Sequence, residues 1–290
     1  MSIAIVNNNW TPNKIDIEII CLKEFLCLLK RNIRYISVVF PMYYFRKGAI
    51  NNSRLLRATY CFVRYIDDIL DGDRNIDQDP YEYTITLKEQ IENDQFYFTD
   101  RISYLACFIT TGFRALEGCK ESATNNLISL INCILYDFER ARKRITLNAE
   151  DINKHLFVSL ENSVNIALRI SEANISSKEV SELIQAMSSF YTVRDLHADI
   201  SKNLINIPNE ILSQAKHEAT EHTSLNDLFA TETVKTWVKE EFKKGEENLL
   251  SFITKFKSID DKRTRGVLKP IVTGLKYYRY FNKSKFQSIN

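Results

Sequence analysis

Ile15, Ile19, Leu22, Leu26 and Leu29 recur at steps of three and four, with Lys23 and Lys30 between them. That spacing predicts an amphipathic helix with the five apolar residues on one stripe and the lysines facing away. A second helix is expected from Asn51, Asn52 and Ser53, which supply N-cap chemistry, through Leu56, Tyr60, Val63 and Ile66 to a stop near Gly72. The same periodicity predicts further helices over about 81–93, 101–117, 121–145, 149–172, 177–201, 228–256 and 259–281.

The joints between these segments, such as Thr99-Asp100, Gly118-Cys119 and Ser176-Ser177, are short and polar. None is long enough to serve as a linker, and there is no repeat or low-complexity tract. The expected architecture is therefore all-α, a single-domain helical bundle over residues 14–284, with flexible ends at 1–13 and 285–290. Composition agrees: 7 Gly and 5 Pro in 290 residues are too few for the turns of a many-stranded sandwich or barrel. The 44% of hydrophobic and 11% of aromatic residues can fill a sizeable core.

Charge narrows the partners. The 39 Lys+Arg against 37 Asp+Glu leave +2, which gives no sign of a nucleic-acid-binding protein. The basic residues Lys262, Arg263, Arg265, Lys269, Lys276 and Arg279 read as an exposed helix face, with at most peripheral membrane contact. Cys21, Cys27, Cys61, Cys107, Cys119 and Cys133 lie in apolar or amphipathic stretches without zinc-like spacing and read as reduced core thiols. No stretch approaches the roughly 20 apolar residues of a spanning helix, and Met1–Asn13 lacks the features of an export signal. A cytoplasmic location is expected.

Chemistry concentrates at two places. In Arg64-Tyr-Ile-Asp67-Asp68-Ile-Leu-Asp71 the charged residues fall three or four apart, on one helix face. In the second half of the chain, Arg194-Asp195-Leu-His-Ala-Asp199 repeats the pattern, with Asp195 and Asp199 at i and i+4. Closely spaced carboxylates repel one another unless a cation offsets them. Mg²⁺ fits, because it takes oxygen ligands and commonly bridges one or two protein carboxylates to phosphate oxygens. With arginines beside the metal, the implied substrate is a diphosphate. A single such ladder is ordinarily a solvated set of ion pairs; two, each set among apolar neighbours, favour a metal–diphosphate site.

These residues resemble the motifs of the squalene/phytoene synthase family of prenyltransferases. Tyr60, Arg64, Asp67, Asp68 and Asp71 match the family's first Asp-rich motif, and Arg194, Asp195 and Asp199 its second. Ser37-x-x-Phe40 resembles an early Ser-Phe element, and Pro208 stands where the second motif closes; the likeness runs from about residue 35 to residue 280. The resemblance implies a class I terpenoid synthase fold with a central apolar cavity, and Mg²⁺-dependent ionisation of an allylic prenyl diphosphate of the C15 or C20 class. It implies Asp67, Asp68, Asp71, Asp195 and Asp199 as metal ligands, Arg64 and Arg194 on diphosphate with Arg57 and Lys202 as further candidates, and Tyr60 orienting the first ladder. Ser37, Phe40, His155, Glu161 and Tyr191 would face the cavity. Aromatic faces can stabilise a carbocation, and Phe62, Phe157, Phe190, Tyr191, Phe242 and Tyr277 are the candidates.

The chain departs from the family at positions that matter for coupling two prenyl chains. Ser188 and Tyr191 replace a Gln and an Asn, Leu204 and Asn206 replace an Arg and a Tyr, and His155-Leu156 and Glu161-Asn162 replace Tyr-Cys and Ala-Gly. A divergent, phytoene-synthase-like member is expected, passing its prenyl cation either to another prenyl diphosphate or to an aromatic or amine acceptor, with His155 or Glu161 as base or hydrogen-bond acceptor.

Three other readings compete. A terpene cyclase would keep the metal site and quench the cation internally or with water. A catalytically silent assembly protein would have no chemical need for the clustered aspartates. A calcium loop is suggested by Asp71, Asp73, Asn75, Asp77, Asp79 and Glu82 at loop positions 1, 3, 5, 7, 9 and 12, but Ile76 stands where the loop needs glycine.

Overall fold

The computed structural model describes residues 13–31, 42, 50–116, 123–218, 225–228 and 230–287. Among them every regular element is helical: α1 (Lys14–Arg31), α2 (Ile50–Leu70), α3 (Pro80–Asn93), α4 (Arg101–Leu116), α5 (Ala123–Lys143), α6 (Ala149–Ile170), α7 (Ser181–Ser201), α8 (Asn209–Glu218), α9 (Glu232–Lys257) and α10 (Lys262–Gln287). Short helical turns occur at Ser177–Val180 and Leu225–Leu228. The protein is all-α, and no described helix is long and apolar enough to cross a membrane.

The chain folds into two compact units whose segments interleave. One comprises residues 1–135, 165–175 and 261–267; the other comprises 136–164, 176–260 and 268–290. In the first unit α1, α2 and α4 pack on one another, and α3 packs on α2 and α4. Gly112 permits the approach of α4 to α2, since a Cβ there would meet Leu55 Cδ1 at 2.7 Å. In the second unit α7 lies along α9, and α8 packs on α9. Gly245 of α9 faces the Phe190 ring, which a Cβ would meet at 2.9 Å. A core of Leu196, Ile200, Ile205, Ile207, Leu212, Leu228, Val234 and Trp237 closes this end of α7.

The helix ends follow from local chemistry. Asp79 caps α3 by accepting from the Glu82 backbone N–H at 2.9 Å, with Pro80 in the first turn where no hydrogen bond is lost. Asp79 and Glu82 of the calcium-loop pattern are thus the start of a helix. Asp100 accepts from the backbone of Ile102 and Ser103 to begin α4, and Thr231 caps α9. Gly72, at φ +74°, takes the left-handed conformation just beyond α2.

Four expectations are corrected. In α1 the apolar stripe turns outward: Ile15, Ile19, Leu22 and Leu26 are exposed, while Ile17, Cys21, Phe25 and Leu28 are buried. Cys27 is exposed for the same reason, whereas Cys21, Cys61, Cys107 and Cys133 are buried free thiols, and Cys119 lies outside the described residues. Asn52 and Ser53 do not precede α2 but lie inside it, because the helix begins at Ile50. Tyr277, a candidate for the cavity, is 63% exposed on α10. The α8 helix was not expected.

Candidate functional site

The first ladder sits at the C-terminal end of α2. Arg64 donates to Asp67 one turn on, and its second amino group lies 2.8 Å from Asp68 Oδ1. Arg31, the last residue of α1, donates to the other oxygen of Asp68 and reaches Asp73 at 3.7 Å. Asp68 is only 1% exposed, so two arginines offset the cost of burying its charge. Asp67 and Asp73 are about one-third exposed, and Asp71 is exposed just past the helix end. Asp71 N–H donates to the Asp67 carbonyl at 2.9 Å, which keeps it in helical register with the ladder.

A second ionic cluster in the same unit lay outside the sequence reading. Glu24, 3% exposed, holds Arg74 at 2.7 Å and Arg101 at 2.8 Å. Partial burial opposes the Arg74 charge, but the Glu24 hydrogen bond and charge push it above its ordinary value. The Arg74 guanidinium lies 4.6 Å from the Tyr65 ring centre, and Tyr83 donates its hydroxyl to Asp100 at 2.7 Å. Burial and the Asp100 carboxylate push the Tyr83 phenol far above its ordinary range. Tyr65, Tyr83 and Asp100 line an open polar groove of about 400 Å³ with Asn75, Ile76, Asp77 and Gln78. Arg57 is buried and donates to Glu18 and to Ser53 Oγ, and Tyr60 stacks on Phe25 at 6.1 Å.

The second ladder occupies the last turns of α7 in the other unit. Arg194 forks onto its neighbour, with Nε donating to Asp195 Oδ1 at 2.7 Å and Nη2 to Oδ2 at 2.6 Å. Its guanidinium covers the Tyr191 ring at 4.1 Å. Desolvation opposes the Arg194 charge, yet the Asp195 hydrogen bond and charge push it above its ordinary value. Burial pushes the Tyr191 phenol up, and that of Tyr278 on α10 up to about 12. The half-exposed Arg194–Asp195 pair therefore backs onto two neutral phenols.

No protein-family model matches the chain, and no curated protein matches it.

Asp199 leads into a polar relay. Asn206 Nδ2 donates to Asp199 at 2.9 Å, and Asn206 Oδ1 accepts from Arg140 at 3.2 Å. Arg140 is 1% exposed and also donates to the Ile205 carbonyl and to Asp137, each at 2.9 Å. His155 Nε2 lies 2.9 Å from the same Asp137 oxygen, with its ring 5.1 Å from Tyr136. The relay thus runs Asp199, Asn206, Arg140, Asp137, His155. Asn206 and His155 belong to one hydrogen-bonded and ionic system.

The remaining candidates are placed as follows. Glu161 accepts the Ser177 hydroxyl at 2.8 Å, which ties α6 to the turn before α7. Lys202 is the C-cap of α7, its backbone N–H donating to Asp199. Phe190 and Phe242 are buried against each other at 5.3 Å and against Tyr278, and Phe62 is buried in the first unit. Ser37 and Phe40 lie outside the described residues. Arg31, Glu24, Asp137 and Arg140 were not singled out because each is a common charged residue whose partners lie elsewhere in the chain. The one signal for Arg140 is that it opens a basic run, Arg140, Arg142, Lys143 and Arg144, at a helix end.

Among the described residues no three carboxylate, imidazole or thiol groups converge on one point. Mg²⁺ does not require three, since phosphate oxygens and water complete its shell around one or two carboxylates. Asp67, Asp71, Asp195 and Asp199 have the oxygen donors and partial exposure for this, while Asp68 is enclosed by its arginines. The donor chemistry fits the ion.

Proposed function

We propose that this protein is a Mg²⁺-dependent prenyltransferase that ionises an allylic prenyl diphosphate and transfers the prenyl group to an aromatic or amine acceptor or to a second prenyl diphosphate. The reading is supported above all by the two arginine–aspartate ladders, each at the end of a helix with apolar residues on either side. The motif likeness to the squalene/phytoene synthases supports it further.

In this reading Asp67, Asp71, Asp195 and Asp199 would hold magnesium, with Asp68 as the buried seat of Arg31 and Arg64. When bound, the ion supplies Lewis-acid stabilisation of the departing diphosphate. Arg64 and Arg194 present planar donor forks to phosphate oxygens. The allylic C–O bond breaks with its electron pair leaving on the diphosphate, and the acceptor's electron pair makes the new C–C or C–N bond. The proton that the acceptor loses goes to His155, which is 11% exposed and backed by Asp137.

The test is product analysis by mass spectrometry. The full chain is incubated with Mg²⁺ and geranyl, farnesyl or geranylgeranyl diphosphate, each alone and with cell extract. Diphosphate release with a new extract-dependent prenylated mass supports transfer to an acceptor. A hydrocarbon from diphosphate alone supports coupling or cyclisation instead. Absence of diphosphate release from every substrate overturns the reading.

A further inference from the structure

The part of α10 that belongs to the second unit presents a face the proposed chemistry does not use. Tyr277, Tyr280 and Phe281 are 63%, 76% and 71% exposed at positions i, i+3 and i+4. The Tyr277 and Phe281 rings stack at 6.4 Å, and Tyr280 meets Phe281 edge-on at 5.3 Å. They form one contiguous apolar patch, unlike the scattered single hydrophobes of an ordinary surface.

Lys269 and Lys276 extend the same face toward the N-terminal end of the helix, and both are exposed without an ion pair among the described residues. Arg279 and Lys283 point differently, clamped to Glu246 of α9. The whole of Lys262–Gln287 contains no aspartate or glutamate. A face with two unopposed cations, no carboxylate and three outward aromatics is complementary to a surface that is negative outside and apolar beneath.

We infer that this face of α10 docks on an anionic lipid bilayer, with Tyr277, Tyr280 and Phe281 entering the headgroup region and Lys269 and Lys276 above them on acidic headgroups. Tyrosine suits that depth, since its ring is apolar and its hydroxyl stays hydrated. A lysine near such a surface strengthens binding about fivefold and loses that gain in salt. The rings pack against one another instead of standing apart as platforms for nucleobases, which favours a bilayer over single-stranded nucleic acid.

The inference does not rest on the enzymatic reading, and its test contains no prenyl substrate. The full chain is sedimented with phosphatidylcholine vesicles containing or lacking about one-third phosphatidylserine, at about 0.1 M salt, where charges still act over ~10 Å. Binding is expected to be about twenty-five-fold stronger with phosphatidylserine and to weaken in high salt. Lys269→Glu with Lys276→Glu should remove that preference, and Tyr277→Ser with Tyr280→Ser and Phe281→Ser should lower binding to both vesicles about tenfold. These residues are exposed, so circular dichroism of the variants should match the parent. A Tyr280→Trp variant should shift its emission to the blue on vesicles and be quenched by brominated acyl chains. No vesicle binding by the parent chain, binding by both sets of variants as strong as the parent's, or a single-stranded oligonucleotide bound through these residues in place of vesicles would overturn the inference.

Discussion

The Asn206 carboxamide donates to Asp199 at 2.9 Å while its oxygen accepts from Arg140, so the last carboxylate of the second ladder is aimed by a residue seven positions further on. Asn206 is 4% exposed in the loop after α7, which puts this bond largely out of competition with water. Asn206→Leu keeps the volume and removes both bonds. It is expected to lower stability by about 2 kcal/mol, through the hydrogen bonds lost at Asp199 and Arg140, and to slow diphosphate release more than it weakens substrate binding. Urea denaturation and the separate effects on kcat and KM check this; an unaltered kcat would show that Asp199 needs no such aim.

Arg140 is the hub of the same relay. Its guanidinium is nearly inaccessible and satisfies Asp137, Asn206 and the Ile205 carbonyl. Arg140→Met should cost about 3 kcal/mol, because buried partners lose their counter-charge and donors. Arg142→Ala, on the exposed side of α5, should stay within about 0.5 kcal/mol of the parent. Equal denaturation midpoints for the two variants would contradict the relay.

Asp68 and Asp71 share a ladder but should respond differently to alanine. Asp68 is enclosed by Arg31 and Arg64, so its loss is expected to cost about 3 kcal/mol in addition to any loss of turnover. Asp71 is exposed beyond the helix end, and Asp71→Ala should leave stability within about 0.5 kcal/mol while activity falls. Thermal melts of the two variants beside diphosphate-release rates separate a structural carboxylate from one available to metal.

Acid should loosen the α9–α10 contact. Desolvation raises the Glu246 carboxyl, but Arg279 and Lys283 outweigh it and hold it below its ordinary range. The charged form is thus favoured in the fold. Its stabilising contribution is complete above the ordinary glutamate value of about 4.3 and is lost as pH falls through the depressed folded value. Glu246→Gln should flatten the decline of the melting temperature below about pH 4.3 and change it less near neutrality. An identical acid profile in the variant would remove Glu246 from that role.

Helix positions were legible because apolar residues recur at three and four, yet periodicity alone did not assign the inner face. In α1 both Ile15, Ile19, Leu22 and Leu26 and the buried Ile17, Cys21, Phe25 and Leu28 keep helical spacing, and the second set wins by packing with α2 and α4. Glu24 joins the buried face because Arg74 and Arg101 neutralise it, partners that no local pattern links to it. The α8 segment was missed because its ten residues carry few apolar positions and bury only Leu212 and Ala215. The ladders could be read because i, i+3 and i+4 spacing is local. Arg31 on Asp68, and Arg140 joining Asp137 to Asn206, are products of tertiary folding and left no such mark.

If the proposed function holds, each ladder is needed for diphosphate release. Pyrophosphate release from farnesyl or geranylgeranyl diphosphate, with and without Mg²⁺, tests it most directly when the parent chain is measured beside Asp71→Ala and Asp195→Ala. Magnesium-dependent release that falls about a hundredfold in each folded variant is the predicted result. Release that is unchanged in either variant, or that needs no magnesium, would contradict the account.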